Sequence, residues 1–220
     1  MRYTMTLQTV PKLVLRQGLV RCATGLATAC AAALLTACGG GGSDVLGNPP
    51  KVNNPEVIGG KALSFAYFQK CINPIFLALL PIQLGGTTSN NTCAGSGCHD
   101  NTTGTGGAFR VVTNAQPLDL SDPANTPAVI RASDMYKNFY SAQSSLVIGS
   151  ASQSRLLTKP LLSGVLHGGG LIFLSDSDPN ARLIKYWISR PVAQGQDEFS
   201  TASYTMFTPP DPKAGTCNTQ

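Results

Sequence analysis

The chain has 220 residues, 42% of them apolar and only 12% charged, with 16 Lys and Arg against 11 Asp and Glu, seven Cys and two His. That length accommodates one domain or two small ones, and the apolar share is enough to bury a core, which excludes a disordered chain. No cluster of Lys or Arg occurs anywhere, which excludes a nucleic-acid binder.

Residues 1–37 carry Arg2, Lys12, Arg16 and Arg21 and no acid, and an Ala-rich apolar run follows from Cys22 to Leu35. A basic stretch before a short apolar one is the pattern of an export signal. The run is shorter than the ~20 helical residues that span a bilayer. It ends Leu35-Thr36-Ala37-Cys38-Gly39, which resembles a bacterial lipobox. That resemblance implies lipid on Cys38 and removal of residues 1–37. With Gly39 and no Asp after the Cys, it implies sorting to the outer membrane, the domain facing the periplasm or the cell surface. The alternative is an ordinary signal peptide with Cys38 incidental.

Taking 37 residues from 220 leaves 183, with 12 basic residues against 11 acids, so the formal +5 of the whole chain belongs largely to the signal. Residues 38–62, rich in Gly, Asn and Pro after Cys38, read as a flexible tether. Ser64 is placed to cap a helix whose apolar positions Phe65, Phe68, Cys71, Ile72, Ile75, Phe76 and Leu79 recur at three and four, with Pro74 expected to break or kink it. Residues 82–107 read as a long polar loop. Asp122-Pro123 is expected to open a short helix to about Ala132, Met135 to Tyr140 a second, and Ser152 to Leu162 a third. Asp178-Pro179 starts a last helix with Leu183, Ile184, Trp187 and Ile188 on one face, stopping at Pro191, and Asp176 and Asp178 read as capping residues. The aromatics Phe65, Tyr67, Phe68, Phe76, Phe139, Tyr140, Tyr186 and Trp187 read as core. Residues 192–220 form a polar, Pro-rich tail packed on or pinned to the domain spanning 63–191. No strand alternation stands out, so the expected fold is mainly α, a small helical domain with long loops.

The chemistry lies in Cys93-Ala94-Gly95-Ser96-Gly97-Cys98-His99. Covalent haem attachment needs two thiols to add to two vinyl groups and a His beside them to bind iron, ordinarily as C-x-x-C-H. Here the gap is four residues, and Gly95 and Gly97 allow the tighter bends it demands. The alternative is a local Cys93–Cys98 disulfide beside a loop His99. With two His and no C-x-x-C, zinc is a poorer fit. Cys71 and Cys217 remain. Pairing them closes a loop of about 146 residues, worth about 4 kcal/mol in the chain-entropy account. The alternative is a buried Cys71 and a free Cys217.

From about Phe65 to Ile188 the chain resembles the single-haem c-type cytochrome domains of exported bacterial proteins. The likeness rests on Asn73-Pro74-Ile75-Phe76 before the haem motif, Gly106-Gly107 and Leu118-Asp119-Leu120 after it, then Ser154-Arg155-Leu156-Leu157 and Trp187-Ile188. The wide cysteine gap and about a dozen inserted residues before Cys93 depart from that pattern. The resemblance implies a cytochrome c-like fold and one haem c held through Cys93 and Cys98, with His99 as the proximal ligand. It also implies His167 as the distal ligand, 20 residues before Trp187. The residues alone leave His167 open as a polar turn beside Gly168, Gly169 and Gly170, leave Met206 as an alternative ligand, and make Met135 core.

Two imidazoles on one iron close its coordination shell and favour electron transfer over catalysis. The expectation is therefore a lipid-anchored electron carrier rather than an enzyme, with the membrane and unidentified redox proteins as partners; a haem or thiol enzyme is the third reading. The alternative is a haem-less, disulfide-stabilised envelope lipoprotein, structural or ligand-binding.

Overall fold

A computed structural model describes residues 62–220. The signal segment, Cys38 and the tether up to residue 61 lie outside the described residues. No helix among the described residues is long and apolar enough to cross a membrane.

The chain begins with a helical rod in three parts: α1 (Phe65–Tyr67), a π turn (Phe68–Ile72) and α2 (Asn73–Leu77). The Ser64 hydroxyl caps it by accepting from the Tyr67 amide. Pro74 has no N–H and its ring crowds the preceding turn. The widened π turn ahead of it, with the Asn73 amide donating to Phe68 O, accommodates the proline without ending the rod.

Next comes a hairpin of β1 (Leu80–Leu84) and β2 (Thr87–Asn91), antiparallel with Leu84 opposite Thr87. Its two-residue turn is Gly85-Gly86, at φ +58° and +81°. Positive φ at both central positions is the turn whose twist matches paired strands, and glycine adopts it at no steric cost. Four helices follow: α3 (Pro127–Ala132), α4 (Asp134–Gln143), α5 (Arg155–Thr158) and α6 (Pro179–Ser189). The C-terminal segment adds a short antiparallel pair, β3 (Phe207–Thr208) and β4 (Thr216–Cys217).

The expectation of a mainly α, cytochrome c-like helical domain is overturned. Only 33% of the described region is helical and 11% is strand, in two small antiparallel sheets, and the remainder is turns and irregular chain. Part of the supposed polar loop is the hairpin. Leu80 and Ile82 turn inward while Pro81 and Gln83 face out, whereas β2 is polar and largely exposed, so only one strand alternates. One helix start moves, one of the two expected capping residues fails, and one expected core residue is exposed. Thr126, not Asp122, caps α3, with Pro127 in its first turn. Asp178 caps α6 by accepting from the Asn180 and Ala181 amides, whereas Asp176 lies 3.9 Å from Lys185. Tyr140 is exposed rather than core.

The core is aromatic. Phe65, Phe68, Phe139 and Trp187 are fully buried, with Phe68 at 5.4 Å from both Phe139 and Trp187. The Trp187 Nε1–H donates to Ser64 O at 3.1 Å, tying α6 to the start of the rod. Below these rings Asn138 is fully buried. Its Nδ2 donates to Asn73 Oδ1 at 2.9 Å and Val112 O at 3.0 Å, and its Oδ1 accepts from the Val112 amide at 2.6 Å. Replacing it with Leu strands the buried Asn73 Oδ1 and the half-buried amide and carbonyl of Val112. Asn138→Leu is therefore expected to lower stability by about 3 kcal/mol, measured by urea unfolding; an unchanged midpoint contradicts this account of the core.

Cys71 and Cys217 form a disulfide, Cα atoms 6.1 Å apart, between the π turn and β4. The tail is folded onto the rod. Met206 and Phe207 are buried, the Tyr67 hydroxyl donates to Asn218 O, and the Tyr67 and Phe207 rings lie 5.6 Å apart.

Candidate functional site

The segment after β2 folds back on itself. The Cys98 amide donates to Gly95 O and the His99 amide to Cys93 O, both at 2.9 Å, closing the loop that carries the two cysteines. The Ala94 amide donates to Phe76 O and buried Ala94 seats this loop on α2. Cys93 and Cys98 are both free thiols, not the local disulfide that their spacing also allowed. Burial, with Cys98 nearby, pushes the Cys93 thiol up to about 11. A thiol held protonated at neutral pH is the reverse of what an activated cysteine nucleophile requires.

The His99 ring packs at 4.7 Å from the Phe109 ring, and its Nδ1 lies 3.1 Å from Phe109 O. His167 makes the matching arrangement with its own loop, Nδ1 at 2.8 Å from Gly170 O while the Gly170 amide donates back to His167 O. In each ring a backbone carbonyl takes the Nδ1 proton, which fixes the tautomer and leaves the Nε2 lone pair available. This is the usual orientation device for metal-binding imidazoles. Burial holds both imidazoles below the ordinary histidine pKa, so both are neutral at pH 7.

The two loops reach one another through the hairpin. Gln83 on β1 exchanges two backbone hydrogen bonds with Leu171, at 2.8 and 2.9 Å, four residues past His167. The hairpin that the sequence reading missed is thus the strut that brings the His167 loop over the cysteine loop.

A cavity of about 560 Å³ lies there, and Cys93, Cys98, His99 and His167 all line it. Its other walls include Ile75, Phe76, Leu80, Ile82, Phe109 and Phe173. That size suits a cofactor-sized ligand. The His99 and His167 rings are nearly parallel, 15° apart, with centroids separated by 6.4 Å. Two imidazoles sharing one metal ion end-on, at about 2 Å per bond, would stand roughly 6 Å apart centre to centre. The residues present therefore fit a bis-imidazole haem. Among the described residues no three His, Cys, Asp or Glu side chains form a group that could hold a metal ion.

Met206 is buried in the core and does not line the cavity, and Met135 is likewise core. Comparison with family models, with curated proteins and with solved structures returns no match to this chain. The site's reading therefore rests on its own geometry.

Sequence reasoning missed the groups that hold the two imidazole rings. The carbonyls of Phe109 and Gly170 carry no side-chain signal. Gly106 does carry one. A Cβ there would stand 2.5 Å from His99 Nδ1 and Cε1 and 2.8 Å from Cys98 O, so only glycine allows the chain to pass over the ring. Gly106→Ala should displace His99 and cost roughly 1–3 kcal/mol, as overpacking does. Thermal unfolding would register it, and a melting temperature equal to the parent's would show that the ring has room to move.

Proposed function

We propose that this chain is a membrane-anchored electron-transfer protein carrying one covalent haem c. Cys93 and Cys98 would supply the thioether links, His99 and His167 the nitrogens that hold the iron, and lipid on Cys38 the anchor at the periplasmic face of the outer membrane. The observation that carries the reading is the nearly parallel pair of imidazoles 6.4 Å apart, each anchored through Nδ1 to a backbone carbonyl, on a cavity that also holds two free thiols.

Haem bound there would supply reversible one-electron chemistry at the iron. The chain's part is to present two neutral imidazoles without rearrangement. The Phe109 and Gly170 carbonyls hold the rings in both oxidation states, so little reorganisation accompanies gain or loss of an electron. The apolar walls limit water at the site. His99 and His167 together would leave no open position for oxygen or a substrate, and they would set a lower potential than a His/Met pair. One-electron transfer is thus the reading, and its partners are redox proteins of the cell envelope.

The test is a visible spectrum and an intact mass of the full chain produced alongside haem-maturation machinery. A low-spin haem spectrum and a haem-sized mass increase are expected. No Soret band and no added mass would sink the reading in favour of a haem-less envelope lipoprotein. His167→Ala is expected to convert the low-spin spectrum to high-spin while the added mass remains, because the thioether links lie on the other loop. A low-spin spectrum that survives the substitution removes His167 as a ligand.

A further inference from the structure

We propose that Arg155 and Lys159 form the carboxylate-binding end of this cavity and hold the two propionate groups of the haem; the inference rests on the haem reading and names the side chains that take its acidic edge. Both residues line the cavity, and no Asp or Glu does. The Lys159 amide donates to Arg155 O at 3.1 Å, so the two stand one turn apart on the α5 face. The ion pairs among the described residues involve Arg131, Lys137, Lys185 and Lys213, and neither Arg155 nor Lys159.

Arg155 is exposed and Lys159 half-buried where they line the cavity, and among the described residues no carboxylate stands within ion-pair distance of either. A planar apolar ligand with two carboxylates at one edge matches that arrangement. The Arg155 guanidinium suits bidentate pairing with one carboxylate, and the Lys159 ammonium acts as a point charge on the other. The cations would then also tune the iron. Carboxylates left unneutralised favour the more positively charged ferric state, and pairing them raises the potential.

The experiment is a spectroelectrochemical titration of the haem-loaded full chain carrying Arg155→Gln and Lys159→Gln together, with intact mass recorded on the same sample. The added mass and the low-spin spectrum are expected to remain. The ferrous-to-ferric ratio at a fixed ambient potential is expected to fall roughly tenfold, which is about 59 mV for one electron. The charge-conserving pair Arg155→Lys and Lys159→Arg should restore the parent ratio, and Lys137→Gln, on α4 and paired with Asp134, should leave it unchanged. If the double variant loads poorly, each single Gln variant should move the ratio in the same direction by a smaller factor. A ratio equal to the parent's in the double variant, or in both single variants, overturns the proposal. Failure of the haem reading shows itself separately, as a parent protein with no haem-sized mass, and overturns this proposal with it.

Discussion

The full chain with Cys93→Ala and Cys98→Ala, produced alongside haem-maturation machinery, is expected to gain no haem-sized mass, while its fold survives. The first half follows from chemistry. Covalent attachment needs a thiol for each vinyl group, and among the described residues the remaining cysteines, Cys71 and Cys217, are already joined. The second half follows from position. Both thiols are free and line the cavity, and neither is fully buried. Losing them removes little packing. The loop stays closed by backbone bonds from His99 to Cys93 and from Cys98 to Gly95, which alanine also makes. A modest change in the urea midpoint, of about 1 kcal/mol or less, is therefore expected beside a complete loss of covalent haem. The single variants separate the two links. Each should retain one thioether and a haem-sized mass at lower yield. Full loading of the double variant would show that the cysteines have another purpose.

That prediction depends on a motif plainly visible in the sequence, and the contrast with what was not visible is instructive. Cys93, Cys98 and His99 are contiguous, so spacing alone brings them together. His167 is 68 residues past His99, and nothing local in a His-Gly-Gly-Gly run says where it lies. Its position over the cysteine loop depends on the bond between Gln83 and Leu171, and hence on the hairpin. The hairpin was hidden because β2 is Thr-Thr-Ser-Asn-Asn, with no apolar face to alternate. Yet Gly85-Gly86 between two five-residue runs was a legible turn signal.

Helix starts were legible at Ser64 and Asp178, where one side chain satisfies the first amides. Asp122 carried the same signal but spends its carboxylate on the Ala124 amide in a turn, and the helix waits for Thr126. Arg155 and Lys159 were plain as residues and mute as a pair. Their spacing fits any exposed helix face, and only the cavity gives their charges a direction.

Replacing Cys71 and Cys217 together with Ser is expected to lower stability by about 4–5 kcal/mol, because the bridge closes a separation of 146 residues and its loss frees the unfolded chain. Against a total of about 5–15 kcal/mol for a typical domain, that is a large share. The loss should also be uneven. The tail's remaining attachments include the buried Phe207 and Met206, the Tyr67 hydroxyl bond to Asn218 O, the bond from Lys70 Nζ to Lys213 O at 2.7 Å, the exposed Lys213–Asp119 ion pair and the Arg182 bond to Thr219 Oγ1. Proteolysis should therefore reach residues beyond Thr208 before it reaches the rod. The cavity should be spared, since neither Cys71 nor Cys217 lines it. The haem spectrum of the loaded double variant should match the parent's below its unfolding transition. The two readouts thus separate a structural bridge from a functional one. A urea midpoint unchanged by the substitution contradicts the loop-closure account. A lost low-spin spectrum in a still-folded chain would mean instead that the bridge holds the site, through the rod that carries Phe76 to the cysteine loop.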